Sequence, residues 1–268
     1  MSPLRGLMVL ASTLIILTAS VNARAVDVGE QEIGITVDAT YVTKYIWKGF
    51  DLLDDNGAWQ PSITLSYSDF SLGVWGSWAD TRGFTAQDEL DYFLCYQPSL
   101  FEEKRCALDL SLTYTYFDFP HSDSVAGGDE IADGQELALG VSLPNAFPLG
   151  PSSLAPYYEG DFEWQGMHHD SSVDKGWIHT FGLAYDIPVS PLLKQQEEQA
   201  ICLCWDITYN DGVFGTAAGW SHSTLGVSTT FECKGFAFTP VVNYQWSYED
   251  TVNEENEFYA SFSLSYYF

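Results

Sequence analysis

Residues 32–48 read EIGITVDATYVTKYIWK, and the alternation in this stretch decides the fold. Ile33, Ile35, Val37, Ala39, Tyr41, Thr43, Tyr45 and Trp47 share one side of a two-residue period. Glu32, Gly34, Thr36, Asp38, Thr40, Lys44 and Lys48 share the other, with Val42 and Ile46 out of pattern. Successive side chains of a strand point to opposite faces, so the reading is a strand with one apolar and one polar side. The same period returns down the chain. Trp59, Pro61, Ile63, Leu65 and Tyr67 oppose Gln60, Ser62, Thr64 and Ser66. Leu108, Leu110, Leu112, Tyr114 and Tyr116 oppose Asp109, Ser111, Thr113 and Thr115. The last instance, Phe258, Ala260, Phe262, Leu264, Tyr266 and Phe268, ends the chain. Twelve such segments are readable; an even number suits a closed bacterial barrel. The sixth and seventh are interrupted by Pro144, Pro148, Pro151 and Pro156, residues that cannot donate to a sheet ladder.

Composition agrees with this pattern. The 268 residues hold 10 Lys and Arg against 37 Asp and Glu, a balance that excludes nucleic acid as a partner because phosphate binding needs surplus cations. Aromatic residues make up 16% of the chain, far from the composition of a disordered acidic tail. The mean hydropathy of −0.06 is that of a chain whose apolar and polar residues alternate and cancel. Arg5, the apolar run Leu7 to Ala19 and the small-x-small triplet Ala23-Arg24-Ala25 read as a signal peptide cleaved after Ala25. The run is too short for a membrane helix, which needs about 20 apolar residues. The expected organisation is a signal peptide over 1–25 and an outer-membrane β-barrel over 26–268. The fold class is all-β, a closed antiparallel transmembrane β-barrel of about twelve strands, placed in the bacterial outer membrane.

Two aromatic girdles support the barrel over a soluble sandwich. With the N-terminus in the periplasm, Trp47, Trp59, Trp78, Tyr116, Trp164, Trp177, Tyr209, Trp246 and Phe258 fall at the outer rim. Tyr67, Phe70, Tyr96, Phe231, Phe236, Tyr266 and Phe268 fall at the inner rim. Amphipathic rings collect at both headgroup levels of a membrane.

The stretch YVTKYIWKGFDLLDDNGAWQPSITLSYSDFSLGVWGSW, residues 41–78, resembles the opening of the TorF porin family. The correspondence lies in the aromatic strand end at Tyr45 to Trp47, the Lys48-Gly49 pair, the polar loop Asp51 to Gly57, Gln60, and Gly73 to Ser77. Lys48 stands where the family usually has Arg, keeping the charge and losing the planar fork. The resemblance implies a channel-like outer-membrane barrel and names no solute.

The inward faces carry Glu32, Asp38, Glu89, Asp91, Asp109, Glu136, Glu159, Asp161, Glu163, Asp186, Asp206 and Glu232, opposed by Lys44 and Lys48. A water-filled, cation-attracting lumen is the expected function, because packing so many carboxylates dry carries a large desolvation penalty. The expected pore-lining set is Asp38, Lys44, Lys48, Glu89, Asp91, Asp109, Glu136, Glu159, Asp161, Glu163 and Asp206, with the ladder Glu159, Asp161 and Glu163 as the selectivity determinant. Small hydrophilic solutes or cations, outer-membrane lipids and the barrel-assembly machinery are the expected partners, the last reading Tyr266 and Phe268 as an assembly signal.

No motif calls for a cofactor, a metal or an enzyme. His121, His168, His169 and His222 fall in outer loops, where His168-His169-Asp170 with Asp174, or Asp118 with His121 and Asp123, lack any specific ligand spacing. His179 faces outward without a nucleophilic serine beside it, which disfavours an outer-membrane lipid enzyme; a structural barrel with a blocked lumen is the other alternative. Five cysteines suit an oxidising compartment. A disulfide is expected between Cys233 and either Cys202 or Cys204, whereas Cys95 and Cys106 fall on opposite faces.

Overall fold

The computed structural model describes residues 26–28, 31–102, 104–122, 132–166, 175–248 and 252–268; the signal peptide expected over 1–25 lies outside them. Twelve long strands close into one antiparallel barrel. They are β1 (Gln31–Val42), β2 (Ala58–Tyr67), β3 (Phe70–Ala79), β4 (Glu89–Tyr96), β5 (Leu108–Asp118) and β6 (Gly134–Ser142). The remainder are β7 (Ser152–Gln165), β8 (Gly176–Val189), β9 (Gln199–Asn210), β10 (Gly219–Thr229), β11 (Phe236–Ser247) and β12 (Glu257–Tyr267). Each strand pairs with the next in sequence, and β12 returns to β1, Phe262 lying opposite Tyr41 and Leu264 opposite Ala39. The seam is extended by the Phe268 amide, which donates to the Ile35 carbonyl at 2.9 Å.

Local chemistry explains the hairpins. Between β10 and β11, Lys234 and Gly235 take φ of 51° and 84°, the left-handed pair that a two-residue turn needs to match strand twist. Between β2 and β3 the chain turns on Ser68, with φ of 52°, and Asp69. Pro144 and Pro151 fall in the link from β6 to β7, Pro148 lies in the short strand piece Phe147–Leu149 opposite Ser153, and Pro156 lies within β7 opposite Leu183.

The register puts one parity of every strand inside. Thr36, Asp38 and Thr40 face Thr64, Ser62 and Gln60, and this polar row continues around the ring. The other parity is apolar and uncovered: Ile63, Leu72, Leu94, Leu112, Leu225 and Leu264 are all exposed. A soluble fold would bury that belt. Rings flank it at both ends. Trp59 and Trp78 pair at the end that carries the link 43–57, while Phe70 and Tyr96 stack at 4.6 Å at the opposite end. We call these the plug end and the turn end.

The alternation of residues 32–48 fails as a single strand. β1 stops at Val42, and Tyr45 is buried rather than turned toward lipid. Trp47 therefore leaves the expected outer girdle, and Lys44 and Lys48 sit on a loop rather than on a strand wall. The residues out of period, Val42 and Ile46, mark where the chain leaves the sheet.

Candidate functional site

The link 43–57 folds into the barrel mouth as a plug. It carries a small hairpin in which Ile46 and Trp47 pair with Asp51 and Phe50, turning on Lys48 and Gly49 at φ of 47° and 91°. Its apolar base is a cluster of Tyr45, Leu53, Ala58 and Trp75, the last reaching in from β3. Trp47 packs edge-on against Phe117 of β5 at 5.7 Å and against Phe214 of the β9–β10 link at 5.4 Å. On another side of the ring, Gln245 of β11 donates to the Gly49 carbonyl at 2.9 Å. The plug thus touches the wall on several sides of the lumen.

Lys48 is the centre of this arrangement. Its side chain and those of Glu136, Asp161 and Glu163 are at most 2% exposed. The ammonium lies 3.0 Å from Asp161 Oδ2 and 3.0 Å from Glu163 Oε1, and it donates to Glu136 Oε2. Burial alone would pull the ammonium down; attraction from Asp161, Glu136, Glu163 and Glu159 outweighs it and holds Lys48 well above the usual lysine range. It stays charged. The Glu163 oxygen is within ion-pair distance but is not aligned as a hydrogen-bond acceptor, so this contact is mainly Coulombic. Glu136 Oε1 and Asp161 Oδ1 also lack a hydrogen-bond donor. Beside it, Tyr45 donates to Glu89 Oε2 at 2.8 Å. Burial and the charges of Glu89 and Asp91 push the Tyr45 phenol well up, so it remains a donor.

The rest of the expected pore-lining set also points inward. Asp91 pairs across to Phe117, Glu159 to Thr180, and Asp206 to Gly182, all on lumen rows. Asp38 accepts from Ser62 Oγ at 3.3 Å and from Ser265, toward the turn end, and Asp109 lies opposite Ser142. Lys44 lies apart from Lys48. It binds Asp55 of the plug and Glu257 of β12, the latter at 2.6 Å. Asp51, Asp55 and Glu257 bring one carboxylate oxygen each within 4.8 Å of one another, and Lys44 already bridges two of the three.

Sequence reasoning missed Gly49, His222 and Gln245. His222 is not a loop residue: it lies on β10, buried, and a Cβ on Gly49 would come within 2.4 Å of its Nδ1. It pairs with Thr208 in the same inward register as Thr224 with Asp206; the strand runs outward past Leu225, so a residue placed in a loop belongs to the wall, and the bulge lies beyond it, where Trp220 turns outward. His179 is outward as expected. It stacks on Trp177 at 5.8 Å and bonds the Tyr158 hydroxyl at 2.8 Å, and its cross-strand neighbours are Gly160 and Tyr209. His121 meets Asp88 at 3.0 Å, while Asp123, His168, His169, Asp170 and Asp174 lie outside the described residues.

The expected disulfide is not formed. Cys202 and Cys204 face the lumen from β9, whereas Cys233 ends the short strand piece Phe231–Cys233 directly opposite the outward-facing Phe236, so their side chains do not meet. None of the five cysteines is joined in a disulfide.

Comparison with known proteins adds to the geometry. A family profile described as "Bacterial protein of unknown function (Gcw_chp)" matches residues 28–150, from β1 through the plug to β6. No curated protein matches the chain. Among solved structures, the chain is similar to one titled "KdgM porin", with a TM-score of 0.51 and 9% identity over 86% of this chain and 98% of that one. The outer membrane channel COG4313 from Pseudomonas putida F1 aligns with a TM-score of 0.48 and 12% identity over 91% of this chain and 100% of that one. At such identity the first likeness establishes the fold alone: a closed barrel of the bacterial outer-membrane kind.

Proposed function

We propose that this chain is an outer-membrane channel for small hydrophilic solutes, cation-preferring, and shut at its plug end in the conformation described. The observation that carries the reading is the Lys48 ring. A single ammonium sits among Glu136, Asp161 and Glu163, with Glu159 beside them, so displacing the plug exposes an acidic collar. Charges of one sign in a low-dielectric passage concentrate counter-ions, and rings of Asp and Glu favour cations. The likeness to a porin fold and the resemblance of residues 41–78 to the TorF family support the channel reading. A lipid enzyme is disfavoured by the surroundings of His179, whose flanking outward residues, Gly160 and Tyr209, supply no activated nucleophile.

The test is a reversal potential across a planar bilayer under a KCl gradient. The expected sign is that of cation selectivity, reduced in Asp161→Asn. Anion preference in the wild type overturns the selectivity, and absence of any conductance, even with Lys48 replaced, overturns the channel.

A further inference from the structure

Lys48 comes from the plug, yet the carboxylates that hold it belong to the wall. Glu136 stands on β6, and Asp161 and Glu163 stand on β7. Glu136 and Glu163 lie directly opposite each other on the ladder between those strands, and that ladder contains no plug residue. The three acidic groups therefore keep their places on the wall whether or not the plug is seated. What Lys48 fills is a pre-built position.

The distances select an ammonium rather than a metal ion. Oxygens of Asp161 and Glu163 stand 3.0 Å from the Lys48 nitrogen. That lies within the range of about 2.7–3.2 Å for N–H···O contacts and beyond the range of about 2.0–2.6 Å for magnesium or calcium to oxygen. Among the described residues, the carboxylates grouped closely enough for a metal ion are Asp51, Asp55 and Glu257 instead. A primary ammonium carries three donors, and three carboxylates surround this one. The stem is enclosed as well as the head, since Lys48 as a whole is 2% exposed. Glu136 Oε1 and Asp161 Oδ1, buried beside it without a donor, are a cost that an incoming N–H group relieves.

We propose that Glu136, Asp161 and Glu163 form a binding site for unbranched primary alkylammonium ions, that Lys48 occupies it as a tethered surrogate, and that such amines are the solute class of the channel. The last part rests on the channel reading above. A lysine side chain is itself an ammonium on a four-carbon stem, so the space it leaves has the shape of butylammonium. Passage needs further stations, because a solute must leave each site as well as enter it. Glu159 supplies the next one: it alternates with Asp161 and Glu163 along β7, and alternate residues of a strand repeat at about 6.7 Å. Asp206 of β9 lies close enough to Glu159 to feel its charge, which continues the row around the wall.

Lys48→Gly removes the butylammonium group and leaves the backbone unstrained, since φ of 47° suits glycine. The purified variant is unfolded with urea in n-butylammonium chloride, tetramethylammonium chloride or KCl at equal ionic strength. Tetramethylammonium carries the charge without any N–H donor. n-Butylammonium should raise the midpoint toward that of the wild type. Its half-effect concentration should be at least about tenfold below that of tetramethylammonium, the factor one charge-assisted hydrogen bond supplies. Adding Asp161→Asn should remove that advantage. A measurement on the wild type guards against a misfolded variant: n-butylammonium, and not tetramethylammonium, should speed protease cleavage within 43–57 by displacing Lys48. Equal midpoints in the two organic salts, together with equal wild-type cleavage, overturn the site. Reversal potentials across a planar bilayer should rank n-butylammonium ahead of tetramethylammonium. A cation-selective barrel without that ranking overturns the solute class and leaves the channel reading intact. A barrel that never conducts overturns the channel reading and the solute class with it, while the midpoints still decide the site.

Discussion

The two halves of the lumen are built on the same strands and filled in opposite ways. At the plug end, a loop delivers an ammonium and an apolar base into a ring of carboxylates, and Lys48, Leu53 and Glu136 are almost wholly enclosed. At the turn end the wall carries hydroxyls and thiols such as Thr230, Ser265 and Cys202, and its carboxylates Asp38 and Asp109 sit beside serines. The difference teaches how a barrel can carry buried charge. Crowded carboxylates aimed at a narrow centre are tolerated where another segment brings a counter-charge to them, whereas a separate carboxylate such as Asp38 is held by wall hydroxyls, those of Ser62 and Ser265.

Lys48→Met attacks the plug half most directly. Removing one partner of a buried ion cluster costs on the order of 3–5 kcal/mol. The urea midpoint of the purified barrel should fall and its single-channel conductance should rise; an unchanged midpoint would mean that the two halves are held alike. Gly49→Ala should follow at about 1–3 kcal/mol, because φ of 91° is strained for any side chain and the new methyl group meets His222. Protease cleavage within 43–57 is the sensitive readout here. Deleting Phe268 strikes the turn end. It removes a T-shaped pair with Tyr266 at 4.7 Å and the backbone bond to Ile35, about 1–2 kcal/mol together, and as the proposed assembly signal it should also lower the yield of heat-modifiable barrel. Unchanged yield and mobility would remove that role. Thr230→Val should do least. It loses one hydroxyl contact to Thr239, worth about 0.5–1.5 kcal/mol, and should leave conductance as it was.

Most of the wall was legible from the period of two alone. The outward faces through Leu112, Leu225 and Leu264, the inward ladder Glu159, Asp161 and Glu163, and the closing strand all follow from alternation. The plug was not legible, for a physical reason. Tyr45 and Trp47 continue the apolar parity of β1, and a period cannot distinguish a ring facing lipid from a ring facing an apolar base inside the barrel. The available signal was the pair of misplaced residues, Val42 and Ile46, followed by Gly49. His222 was missed because the strand extends to Gly219, past the last apolar residue of the period at Leu225; polar residues Ser221 to Thr224 read as a loop. The cysteine pairing failed because proximity along one hairpin says nothing of side-chain direction: Cys202 looks into the lumen and Cys233 lies opposite the outward-facing Phe236.

The plug also orders events in time. Lys48 follows the first strand, yet the carboxylates that receive it lie on β6 and β7, 88 residues onward in the case of Glu136. Its neighbour Lys44 grips Glu257, 213 residues away, beside the seam where the last strand meets the first. Contacts between such distant parts of a chain form late and slowly, since long loops must close before the contacts repay them. An early segment of the polypeptide therefore waits for the last one, and the seating of Lys44 on Glu257 reports that the ring has been completed.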